Sequence, residues 1–119
     1  MAVLFEPGSI GSLKLKNRMI RSATWEGLCE KDGRPTPQLI DLYCALAKGK
    51  IGLIITGYSF IRPDGKQNPW SIGIHTDNFE TDFKRLTQSV HHAGGKIAIQ
   101  LVHAGNLARP NETGLPKVA

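Results

Sequence analysis

Cysteine is scarce in this chain: Cys29 and Cys44 are the two among 119 residues, and neither sits in a CxxC or Cys/His metal spacing. That excludes a disulfide framework and leaves free thiols as the expectation. Long apolar runs are lacking as well. The longest falls far below the roughly 20 residues that a membrane-spanning helix needs, and the opening MAVLFEPGSIGSLKLKNR has no cationic segment leading into an apolar one. A soluble, unsecreted, cytoplasmic protein with no membrane partner is expected. No pair of His, Cys, Asp or Glu recurs at ligand spacing, so no metal is expected, and GxGxxG and GxxxxGK[ST] phosphate loops are missing. The glycines of GSIGS, Gly8 to Ser12, read as a turn instead.

What is present is the composition of one globular domain, with 40% apolar residues, 21% charged residues and a net charge of +5. Lys14, Lys16, Arg18 and Arg21 lie close together and would attract nucleic acid or an anionic cofactor, or simply form a solvated surface. Neither a basic helix nor an aromatic stacking platform accompanies them, so no nucleic-acid partner is expected. The sequon Asn111-Glu112-Thr113 matters only in a secreted protein.

The order of patterns along the chain is strand, helix, strand, helix, strand. IGLIIT, Ile51 to Thr56, is a short apolar run without alternation, as in a parallel strand covered on both faces. Before it, Thr36 and Pro37 start a helix that carries Leu39, Leu42, Tyr43 and Leu46 on one stripe and stops at Gly49. After it, Asp77 and Glu80 form an acidic variant of a capping box, and Phe79, Phe83, Leu86 and Val90 mark a second helix ending before Gly94-Gly95. Lys96 to His103 reads as a third strand and Leu15 to Thr24 as an N-terminal one, with Pro7-Gly8 and Gly11-Ser12 setting a short hairpin ahead of it. Right-handed crossovers make the three main strands parallel in one α/β sheet. The residues after His103 have no apolar period and read as an extended loop. Two helices cannot easily cover both faces of such a sheet, and its outer strands keep unpaired backbone groups. The expectation is therefore a portion of a larger α/β fold, either a doubly wound domain with more strands or a (β/α)8 barrel of typically about 250 residues, with self-association through the exposed strand edges.

In parallel α/β architectures ligands gather at the carboxyl ends of the strands, which directs attention to Ser22–Trp25, Thr56–Ser59 and Gln100–Gly105. Gln100 is the unusual one, an amide inside the apolar run of GGKIAIQLVHAG. A buried amide costs roughly 1–3 kcal/mol unless something bonds to it, so either a neighbouring backbone or a ligand satisfies Gln100. Its donors and acceptor on one planar arm suit a ligand edge of alternating acceptor and donor groups. His103 is either a ligand contact or a structural histidine, His91-His92 suit a helix C-terminus, and His75 is isolated.

Five blocks, LFEPGSIGSLKLKNRMIRSAT, KDGRPTPQLIDLY, GLIITGYSFIRPDGK, GIHTDNFETDFKRL and GGKIAIQLVHAG, resemble in order and spacing the amino-terminal part of the Old Yellow Enzyme family of FMN-dependent NAD(P)H:flavin oxidoreductases and ene-reductases. The resemblance implies the N-terminal portion of a TIM (β/α)8 barrel, the hairpin plus the first three strands, with residues 1–119 forming part of an FMN-binding domain. It implies that Ser22, Ala23, Thr24 and Trp25 pass beside the flavin ring, that Gly57 and Tyr58 end the second strand near it, and that Gln100 contacts its pyrimidine edge. By the same resemblance FMN is held noncovalently, since Cys29 is displaced from the family's covalent position. NAD(P)H is the implied reductant and a small-molecule electron acceptor such as an activated alkene the partner, while the catalytic residues are expected beyond residue 119. Two other readings remain open from the residues: a catalytically inactive partial-barrel assembly module, and a small anion-binding α/β domain.

Overall fold

The computed structural model describes residues 2–118. Strands β1 (Gly8–Ile10) and β2 (Leu13–Leu15) form the anticipated antiparallel hairpin. Gly11 makes its two-residue turn with φ of +56°, a conformation glycine adopts without penalty. The N-terminal strand expected over Leu15 to Thr24 is much shorter. Leu15 belongs to the hairpin, β3 is only Ile20–Arg21, and residues 22–28 run without regular structure.

Helix α1 (Pro37–Lys48) begins where its signals placed it, with the Thr36 hydroxyl accepting from the Leu39 N–H at 3.3 Å and Pro37 at the first helical position. Strand β4 (Leu53–Phe60) starts later and runs further than the apolar run Ile51 to Thr56, and it continues past Gly57 and Tyr58, where the resemblance ends it, to Ser59 and Phe60. A two-residue strand, β5 (Ile72–Gly73), carries no sequence period and went unanticipated. Helix α2 (Glu80–His92) follows a 3-10 turn over Asp77–Phe79, and the cap of that turn is Thr76, whose hydroxyl accepts from the Asn78 N–H at 3.3 Å. The Asp77/Glu80 capping box does not form, because Glu80 pairs with Lys84 one turn on at 2.7 Å. Strand β6 (Ile97–Val102) lies within the expected Lys96 to His103. The residues after it fold more than the extended loop allowed for, into a 3-10 turn at Gly105–Leu107 and a single-turn helix α3 (Pro110–Thr113).

β4 is the centre of the parallel sheet, with β6 along one edge and β3 and β5 at opposite ends of the other. Both long helices lie on one face. Leu39, Tyr43 and Ala47 of α1 and Leu86 and Val90 of α2 close a core over Ile54 and Ile72, together with Cys29. Burial pushes the Cys29 thiol up to about 12, with the nearby Glu26 charge adding to the effect. Alternation puts Ile55 on the opposite face from Ile54, beside its ladder partner Ala98. No layer covers that face among the described residues.

Candidate functional site

The ladder between β4 and β6 is irregular at one place, and that place organises the site. Ile55 pairs with Ala98 and Tyr58 with Gln100, so Thr56 and Gly57 together stand against Ile99 alone. This is a β-bulge, one extra residue on β4. In an unbroken ladder Gly57 would oppose Gln100 and Tyr58 would point to the helix layer. The bulge turns Tyr58 onto the open face beside Gln100. Local side chains occupy the groups it frees: the Thr56 hydroxyl accepts from the Gln100 N–H at 3.2 Å, and the Ser59 hydroxyl donates to the Gly57 carbonyl at 3.2 Å.

The Gly57 N–H itself turns to the helix side. It donates to Glu26 Oε1 at 3.1 Å and lies 3.3 Å from the Tyr43 hydroxyl. That carboxylate oxygen also accepts from Arg21 Nη1 at 2.7 Å and from the Tyr43 hydroxyl at 2.5 Å. The Glu26 side chain is 5% exposed, so the ion pair with Arg21 is desolvated, and three donors from three elements offset that cost. Burial and the Glu26 carboxylate together hold the Tyr43 phenol well above its ordinary range. Sequence reasoning passed over Glu26 and Tyr43, the one an isolated acid in an unpatterned stretch and the other a member of an apolar helix stripe.

Of the residues expected beside a ligand, Ser22, Ala23, Thr24 and Trp25 leave the carboxyl end of β3 on the exposed side, Ala23 being half-buried. The backbone N–H groups of Ala23, Thr24 and Trp25 have no acceptor among the described residues, whereas the Trp25 indole N–H donates to the Pro69 carbonyl at 3.1 Å. The Tyr58 hydroxyl accepts from the Asn68 N–H at 2.6 Å and from Ser71 at 3.1 Å, which fixes the ring against the loop after β4. Two expectations need correction. Gln100 is exposed rather than buried, because nothing covers the open face, and its amide has no protein partner among the described residues. Gly57 does not face open space: a Cβ there would stand 2.7 Å from the Thr24 carbonyl oxygen and 3.1 Å from Glu26 Cδ. The glycine is required by the close approach of residues 24–26.

His103 and part of the basic cluster are engaged in local contacts. His103 accepts from the Gly105 N–H at Nδ1, 3.0 Å, and its Nε2 donates to the buried Asp64 at 3.2 Å, the structural role of the two considered. The basic cluster is dispersed, with Arg21 turned inward to Glu26 and Lys16 donating to the Gly94 carbonyl at 3.1 Å. No group of three or more potential metal ligands occurs among the described residues. No helix among them is long and apolar enough to cross a membrane.

Parallel strands with one helical layer and one open face are the arrangement of barrel-type α/β proteins. The comparisons narrow the class. The sequence model of the NADH:flavin oxidoreductase / NADH oxidase family matches residues 3–116, and the chain belongs to that family. It is 39% identical over 110 residues to an NADPH dehydrogenase of Bacillus subtilis (strain 168), covering 88% of this chain and 31% of that protein. To an NADH oxidase of Thermoanaerobacter brockii it is 36% identical over 118 residues, which are 98% of this chain and 18% of that one. An Old Yellow Enzyme homologue from Zymomonas mobilis superposes with a TM-score of 0.91 at 32% identity, over 99% of this chain and 33% of that structure. The fold is thus part of an Old Yellow Enzyme type barrel, and the chain spans about a third or less of the relatives it matches.

Proposed function

We propose that this chain forms part of the FMN site of an NAD(P)H-dependent oxidoreductase of the Old Yellow Enzyme type, acting on a small-molecule electron acceptor such as an activated alkene. The observation that carries the reading is the alignment of Tyr58 and Gln100 on one open face, together with the unpaired N–H groups of residues 23–25 that follow the carboxyl end of β3. The donor set fits a flavin. Gln100 offers both donors and an acceptor to an edge that alternates the two, and three free backbone N–H groups suit ring nitrogens and carbonyl oxygens. Bound noncovalently there, FMN would supply the relay of a hydride from NAD(P)H to the acceptor.

The chain's own contribution is positioning. Gln100 would bind the pyrimidine edge, Ser22 to Trp25 would flank the ring, and Tyr58, pinned by Asn68 and Ser71, would form a wall. The test is titration of the apo form of the intact protein with FMN. Gln100→Leu keeps the size of the side chain and removes its polar match, and affinity should fall by about 1–3 kcal/mol. Equal affinity of the variant and the parent would remove Gln100 from the site.

A further inference from the structure

We propose that Glu26 is a positioning residue of the flavin site, acting through the bulge in β4. This rests on the FMN reading above and adds to it the device that sets the site's register. Glu26 Oε1 gathers Arg21, Tyr43 and the Gly57 N–H, which belong to β3, α1 and β4. Each bond has a consequence at the open face.

The bond to Gly57 takes up the N–H that the extra residue withdraws from the ladder, with the Tyr43 hydroxyl, itself bonded to Glu26, as its second acceptor at 3.3 Å. The buried donor at the bulge is thus satisfied by the Glu26–Tyr43 pair. The bulge is what places Tyr58 beside Gln100. The ion pair to Arg21 joins the two ends of the segment 22–25 and closes it into a short loop, and Arg21 reaches back to the Thr24 carbonyl at 3.5 Å from inside it. A single carboxylate therefore fixes both halves of the proposed site. Tyr43 ties this assembly to the core, its ring fully buried in the helix layer. Buried ion pairs are weak devices for stability alone, because well-packed apolar residues often replace them without loss. Convergence on one oxygen at the root of a bulge is a geometry that specifies conformation.

The experiment uses the intact protein with Glu26→Gln, Tyr43→Phe and the double variant, and reads two quantities: FMN affinity by titration of the apo form, and hydrogen exchange of the segment 56–58 without FMN. Glu26→Gln loses the charge that three donors share, so FMN affinity should fall about tenfold or more. Exchange at 56–58 should rise. Tyr43→Phe leaves the Arg21 pair in place and should give a smaller loss, and the double variant should lose less than the product of the two, because both act on one network. Faster exchange with unchanged FMN affinity would reduce Glu26 to a structural residue and overturn the proposal, as would no change in either quantity. Should Glu26→Gln fail to fold, Tyr43→Phe decides by the same two readouts. A parent protein that binds no FMN, yet shows faster exchange in the variants, would instead overturn the FMN reading while leaving the clamp on the bulge.

Discussion

Gly57→Ala is the substitution whose effect the geometry fixes most closely. Gly57 does not have a positive φ, so alanine meets no backbone penalty and should by itself gain about 0.4–1 kcal/mol by restricting the unfolded chain. The opposing effect is steric. The new methyl would stand 2.7 Å from the Thr24 carbonyl oxygen and 3.1 Å from Glu26 Cδ, with Glu26 Oε2 closer still. Neither neighbour is a free end, since Glu26 is held by Arg21 and Tyr43 and the Thr24 carbonyl is backbone. Overpacking of this kind costs about 1–3 kcal/mol, and displacing Glu26 from the Gly57 N–H forfeits a charged hydrogen bond of about 1.5–3 kcal/mol. The net expectation is a loss of about 2–5 kcal/mol, read as a lower urea midpoint with an unchanged m-value. Adding Glu26→Ala removes the Glu26 clash and leaves the Thr24 carbonyl, so the two changes should be clearly less than additive. A Gly57→Ala protein as stable as its parent, or strict additivity in the double variant, would refute the account of the bulge.

Two further expectations follow from other parts of the molecule. The His75 ring is packed between Phe60 and Phe79, and its Nδ1 is buried without a partner among the described residues. Burial lowers its pKa from 6.5, with the Asp32 charge working against the shift and Lys66 with it. The unfolded chain therefore binds more protons than the folded one just below about 6.5, so this contribution is full above that pH and is lost as pH falls through it. His75→Phe should flatten that limb of a stability–pH profile, and an unchanged profile would show that another group sets it. Leu101 is 59% exposed on β6, whose outer edge is unpaired among the described residues, so the isolated 119-residue chain should self-associate. Leu101→Lys should weaken the association in a sedimentation series, whereas a parent chain that stays monomeric across the series would contradict it.

The elements legible in the sequence were those with local signals. Thr36-Pro37 and Gly49 bracket α1, and the stripe from Phe83 to Val90 marks α2. The strands were legible as apolar runs but not in extent. Gly57 and Ser59 look like the end of a strand, yet the bulge carries β4 on to Phe60 because groups distant in sequence, from Glu26 and Tyr43, satisfy it. The partners of Glu26 lie at positions 21, 43 and 57, a set that no periodicity connects. Gln100 was singled out correctly as chemically odd and wrongly as buried. An apolar run looks the same whether one face or both are covered, and here the helices cover only the other face.

The most direct measurement of the central claim is the identity of the cofactor that the intact protein carries. Purified protein should be yellow, and acid denaturation should release one flavin whose mass is that of FMN. The same protein should lose its visible absorbance on anaerobic addition of NADH or NADPH. Colourless protein that takes up no FMN from excess, or a different cofactor on release, would contradict the account.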